Sequence, residues 1–160
     1  MKIILISVGK TKEEAYSKAA AEFQKRISAF AEFEEKIIKP SFISEKAAES
    51  EIKNALIEEA KLIKKVLAEN PQSLKIAFCI EGKQYDSADF SRLIFDHDRV
   101  RSTVIFIIGS SYGLDESVKA TCDCRVSFSK MTFPHELFKV MATEQIYRAV
   151  QIKCGSKYHK

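Results

Sequence analysis

The sequence predicts an α/β fold in one domain spanning residues 1–160, with a mostly parallel sheet covered by helices on both faces. Three observations predict it. KIILISVG at 2–9, LKIAFCIEG at 74–82 and STVIFIIG at 102–109 are apolar runs with little alternation, as in strands buried on both faces. Segments of helical periodicity separate the strand-like runs, which suits crossover connections. Gly or Pro closes four strand-like runs, at Gly9, Pro40, Gly82 and Gly109.

Each element follows in order. After the first strand, residues 12–30 carry Tyr16, Ala20, Phe23 and Ile27 at helical spacing. EFEEKIIKP at 32–40 reads as a short strand, and SFISEKAAES at 41–50 as a mobile loop. Residues 47–69 form an amphipathic helix with Ile52, Leu56, Ile57, Leu62, Ile63 and Leu67 on one broad face, stopped at Asn70-Pro71. A second buried strand ends at Gly82, and a helix over 87–98 starts at Ser87 as N-cap. The third buried strand precedes a short helix at 114–120, a strand CRVSFS at 124–129 and a last helix at 134–153.

With 160 residues, 46% hydrophobic and 30% charged, the chain suffices for one core. No apolar run reaches the ~18 residues of a membrane span. The amino-terminal run is short and lacks a small-residue cleavage site, so it reads as a strand rather than a leader. The expectation is a cytoplasmic protein whose four cysteines are reduced and mostly buried. Cys122-x-Cys124 lacks zinc-site spacing, and no metal is expected.

The net charge of +4 is unevenly placed. From Arg125 onward seven Lys/Arg face only Glu136 and Glu144, a net +5, whereas the first 124 residues hold 19 basic and 20 acidic residues. A basic end attracts polyanions, although a solvated helix end would look alike.

No G-x-x-x-x-G-K-[ST] and no G-x-G-x-x-G is present, which removes the common phosphate and dinucleotide loops. Three strand ends remain: FCIEG at 78–82, IIGSSYG at 107–113 and SFSKMTF at 127–133. Such ends are where open α/β sheets bind ligands. The last helix is apolar on nearly every side, through Leu137, Phe138, Val140, Met141, Ile146, Tyr147 and others. Packing one face on the sheet and another on a second copy of the chain accounts for that, so a homodimer is expected. Glu144 and Arg148, one turn apart, suit a local pair.

Taken together, VGK after the first strand, IEGK, FIIGSSYGL, SFSKMTFPHELFKV, EQIYRA and the terminal YHK resemble one family over the whole chain. It is the small SPOUT-class methyltransferase that methylates N3 of a pseudouridine in bacterial 23S ribosomal RNA. The resemblance implies an α/β knot whose carboxy-terminal segment threads an earlier loop, a homodimer, and S-adenosylmethionine as cofactor. By position it assigns cofactor contacts to Phe78, Gly109 and Ser110, and to Phe128, Ser129, Lys130, Met131, Thr132 and Phe133. It assigns catalytic-region roles to His135, Glu144, Arg148, Tyr158 and His159. RNA contacts fall on Arg148, Lys157, Tyr158 and Lys160. The family commonly has Gly-Gly where this chain has Gly109-Ser110, which is expected to alter cofactor affinity. Lys160 stands where some members carry arginine, keeping the charge but losing the guanidinium fork.

Methyl transfer from a sulfonium requires alignment and exclusion of water. A cation, Arg148 or Lys160, suits stabilisation of the attacking imide, and His135 or His159 suits acceptance of its proton. The bland readings are a helix cap for His135, a frayed end for Tyr158-His159, and core for Phe133 and Phe138; Cys79 and His97 are read as structural. The alternatives to the enzyme are a catalytically weak RNA- or ribosome-binding dimer, and methylation of another RNA. The small basic surface of one subunit points to a pre-folded partner, the assembled ribosome.

Overall fold

The computed structural model describes residues 1–96 and 102–159. Five strands, β1 (Lys2–Val8), β2 (Glu32–Ile38), β3 (Leu74–Gln84), β4 (Thr103–Ile108) and β5 (Cys124–Ser127), alternate with α1 (Glu14–Ser28), α2 (Glu49–Ala68), α3 (Ser87–Phe95), α4 (Glu116–Lys119) and α5 (His135–Lys153). The strands form one sheet in the order β2-β1-β4-β3-β5, and every pair is parallel.

The unbroken apolar strands meet helices on both faces. Side chains alternate along a strand, so β1 sends Ile3 and Leu5 to one face and Ile4 and Ile6 to the other. Ile3 and Leu5 pack with Ile27 of α1, Phe90 and Ile94 of α3, and Ala142, Ile146 and Val150 of α5. Ile4 and Ile6 pack with Ala60, Ile63 and Leu67 of α2 and with Val118 of α4. Each such fully buried isoleucine or leucine contributes about 1.5–3 kcal/mol.

Two details depart from the sequence reading. Asp86, not Ser87, caps α3, its carboxylate accepting the Asp89 amide at 2.6 Å. Ser87 is already helical and donates to Gln145 Oε1 of α5 at 3.1 Å. The part of that expected helix from His97 onward lies outside the described residues. Gly82 does not end β3: the strand pairs with β5 through Phe78–Val126 and again through Lys83–Val126, with residues 79–82 looping out between. Gly82 crosses the β5 backbone so closely that a Cβ would stand 2.6 Å from the Val126 carbonyl carbon, which only glycine avoids.

α5 is buried on several sides, as expected, but by neighbours in its own chain. α1 and α3 flank it above the sheet. Its interior also holds polar groups. Lys139 is 5% exposed and forms an ion pair with Glu35 of β2. Glu35 in turn accepts Ser7 Oγ at 3.0 Å and Gln24 Nε2 at 2.9 Å. The apolar character of α5 therefore does not by itself require a second chain.

Cys79, Cys122 and Cys124 are half-buried rather than buried, and Cys154 is exposed. Burial pushes the Cys122 thiol up to about 12 and raises that of Cys79 as well, so both remain protonated.

Candidate active site

Residues 78–81, at the bulge of β3, and the carboxyl ends of β4 and β5 converge on a cavity of about 490 Å³. Pockets of this size hold ligands of a few hundred daltons. Its floor is aromatic: Phe78 meets Phe128 edge-on at 5.3 Å and Phe138 at 5.6 Å, and Phe138 stacks with Phe133 at 6.3 Å. One wall is the turn after β4. Ser110 N donates to Gly113 O at 3.1 Å, and Gly113 N returns a bond to Ser110 O at 2.9 Å. A Cβ on Gly109 would stand 2.2 Å from the Gly113 oxygen, so the turn admits no side chain there. The opposite wall is the loop after β5, folded by Ser127 Oγ to Ser129 O at 2.9 Å and Met131 N to Ser129 Oγ at 2.9 Å.

Eight of the nine residues expected to touch a cofactor line this cavity: Phe78, Gly109, Ser110, Phe128, Ser129, Met131, Thr132 and Phe133. Lys130 is exposed and does not line it. His135 also lines it, at the start of α5. Burial, reinforced by Lys139, lowers its pKa, opposed by the nearby Val8 carbonyl. The imidazole is therefore neutral at neutral pH.

Of the other expected catalytic residues, Glu144 and Arg148 of α5 and Tyr158 of the tail after it gather elsewhere. Arg148 donates to Glu144 Oε1 through Nη2 at 2.7 Å and Nε at 3.1 Å, and Tyr158 Oη donates to the same oxygen at 3.0 Å. The Arg148 guanidinium lies 4.8 Å over the Tyr158 ring, which meets Tyr147 edge-on at 4.9 Å. The tail is thus docked through Tyr158 rather than frayed. Burial, then the Glu144 carboxylate, raises the Tyr158 phenol, which keeps its proton as donor. Lys157 and His159 are exposed, and Lys160 lies outside the described residues. None of Glu144, Arg148, Tyr158 or His159 lines the strand-end cavity. Glu144 instead borders a second cavity of about 420 Å³ beside Phe23, Phe90, Val140 and Met141, which shares Phe128 and Phe133 with the first.

Sequence reasoning missed Glu59, Ser41 and Lys119. Glu59 had a signal, since it stands four residues from Ala55 and from Ile63 on the apolar side of α2. Lys119 lines the cavity and pairs with Glu81 and, at 3.1 Å, with Glu116.

A family model described as predicted SPOUT methyltransferase matches residues 1–159. The chain belongs to the SPOUT methyltransferase family. This SPOUT methyltransferase is 42% identical over 161 residues to a protein of Streptococcus pyogenes serotype M5 named ribosomal RNA large subunit methyltransferase H, with both chains fully covered. A protein of the same name from Streptococcus uberis is 41% identical over 161 residues, again with full coverage. Among solved structures, a probable methylase family protein from Haemophilus influenzae superposes with a TM-score of 0.57 at 11% identity, covering 99% of this chain and 70% of the other. A probable methyltransferase from Bordetella pertussis gives 0.55 at 15% identity, covering 92% and 93%. These likenesses show the fold, and the sequence relatives show the family.

Proposed function

We propose that this SPOUT methyltransferase methylates N3 of a pseudouridine in 23S ribosomal RNA, with S-adenosylmethionine as methyl donor. The observation that carries the reading is the convergence of eight expected cofactor residues on one cavity, in a chain matched end to end by ribosomal RNA methyltransferases. The cavity suits that cofactor: aromatic rings offer apolar faces, and the glycine at 109 allows the tight turn whose backbone lines the cavity. S-adenosylmethionine supplies a methyl group on a sulfonium when bound.

The residues then divide the remaining work. The loops 107–113 and 127–133 orient the donor and exclude water. His135, neutral and at the cavity wall, is suited to accept the imide proton. Arg148 offers a fixed cation for the developing anion, held by Glu144, while Tyr158 closes over it. Arg148, Lys157, Tyr158 and Lys160 grip the RNA. In this reading Glu144, Arg148 and Tyr158, which do not line their own chain's strand-end cavity, serve the cavity of a partner subunit in a homodimer. The substrate is pre-folded RNA of the assembled ribosome, which compensates for the small basic surface of one subunit.

The test has two arms. S-adenosylmethionine or S-adenosylhomocysteine raises the melting temperature, with EDTA without effect, and mass mapping of ribosomal RNA from a strain lacking the gene shows one pseudouridine lighter by a methyl group. Unchanged ribosomal RNA would refute the assignment of substrate, and no thermal shift at millimolar ligand the assignment of cofactor.

A further inference from the structure

Behind the turn after β4 lies a carboxyl group with no role so far. Glu59 of α2 is 1% exposed, and among the described residues the groups acting on it are the Ser41 amide and the Ser110 hydroxyl rather than a cation. A carboxylate taken out of water is costly unless hydrogen bonds compensate. Burial accordingly raises the Glu59 pKa, opposed by those two donors. The Ser41 amide donates to Glu59 Oε1 at 3.0 Å, and the Ser41 hydroxyl donates to the Ala55 carbonyl at 3.2 Å. The segment after β2 is thereby fastened to α2.

Ser110 approaches from the other side. Its hydroxyl oxygen is shut away from solvent and makes no hydrogen bond of full geometry, yet it lies close enough to Glu59 to favour the carboxylate. The same residue opens the turn closed by the reciprocal Ser110–Gly113 backbone bonds and lines the strand-end cavity. A buried hydroxyl without a partner is costly, and the Glu59 carboxyl is an acceptor within its reach.

We propose that Glu59 is a positioning residue: it accepts the Ser110 hydroxyl, holds the turn at 109–113 in the shape that receives the cofactor, and couples that turn to the segment at 39–48. The proposal rests on the functional reading above, which gives this turn to S-adenosylmethionine. Glu59 touches no reacting atom and acts through Ser110. The plain alternative is that Glu59 serves only to fasten Ser41.

A double-mutant cycle separates the two. Glu59→Gln keeps an acceptor for the Ser41 amide, and Ser110→Ala removes the hydroxyl alone. Two quantities are read for wild type, both single variants and the double: S-adenosylhomocysteine affinity by calorimetry, and hydrogen exchange at the Ser110 and Gly113 amides without ligand. Loss of a buried hydrogen bond predicts a loss of roughly tenfold in affinity for each single variant and no further loss in the double. Exchange at the two amides speeds up alike in all three variants. Independent losses that add in the double, or unchanged exchange in Glu59→Gln, would overturn the proposal. If Glu59→Gln fails to fold, Ser110→Ala decides alone: exchange and affinity equal to wild type overturn it. If the wild type itself binds no ligand, the functional reading fails, while the exchange measurements still decide whether Glu59 holds the turn.

Discussion

His135 owes its lowered pKa first to burial. Because the folded chain disfavours its proton, its share of stability is complete above the ordinary imidazole value near ~6.5 and is lost as the pH falls below it. The melting temperature of the wild type is therefore expected to fall more steeply between about pH 7 and about pH 5 than that of His135→Asn, which keeps a donor for the Val8 carbonyl. Equal slopes would show that His135 titrates as a free histidine. As proton acceptor it would also place the acid limb of the activity profile below the usual histidine range. At Gly109 even a methyl group collides with the Gly113 carbonyl. Gly109→Ala is expected to abolish detectable ligand binding by calorimetry while the far-ultraviolet circular dichroism spectrum stays native; normal binding would mean that the turn is not the ligand wall. Gly109 was readable as a cavity residue because it follows β4 directly, whereas His135, at the start of α5 and eight residues beyond β5, was singled out through the family resemblance. Glu59 was not legible, because its partners Ser41 and Ser110 are remote in sequence, and a lone acid on an apolar helix face does not announce what it meets.

At the scale of elements, the strands and most helices were readable from periodicity, because apolar runs and helical spacing are local. What covers α5 was not. The sequence shows a helix without a clear polar side, but not that α1 and α3 take its flanks or that Lys139 reaches Glu35 across the core. That pair makes a prediction. Lys139 and Glu35 have side chains only 6% and 18% exposed, and Ser7 and Gln24 complete the network. Lys139→Met leaves Glu35 charged and without its cation in the core, a loss of about 3–5 kcal/mol by urea unfolding. Lys139→Met with Glu35→Gln removes both charges and is expected to recover much of that loss. A double variant as weak as the single would show that packing, not charge, set the cost.

At the scale of the whole molecule, the two groups of candidate side chains border different cavities of one chain, the second group through Glu144. The strand-end cavity is lined by His135 but not by the cluster of Glu144 and Arg148, farther along α5, with Tyr158 of the tail. If the proposed homodimer brings one chain's cluster to the other's cavity, each active site is composite, and the basic groups of both chains face one RNA. Mixed dimers test this. One chain carries Gly109→Val, which closes the turn; the other lacks residues 156–160 and with them Tyr158. Each variant alone is expected to be inactive. In a mixed dimer of composite sites, one site combines the intact cavity of the truncated chain with the intact tail of its partner, so activity returns to roughly half the wild-type level per dimer, while the second site has neither. If cavity and tail of one chain make the site, neither site in the mixed dimer is whole and activity stays at background. Native mass spectrometry supplies the needed control that mixed dimers form. Background activity in their presence would return the tail to its own chain and leave the second subunit a structural role alone.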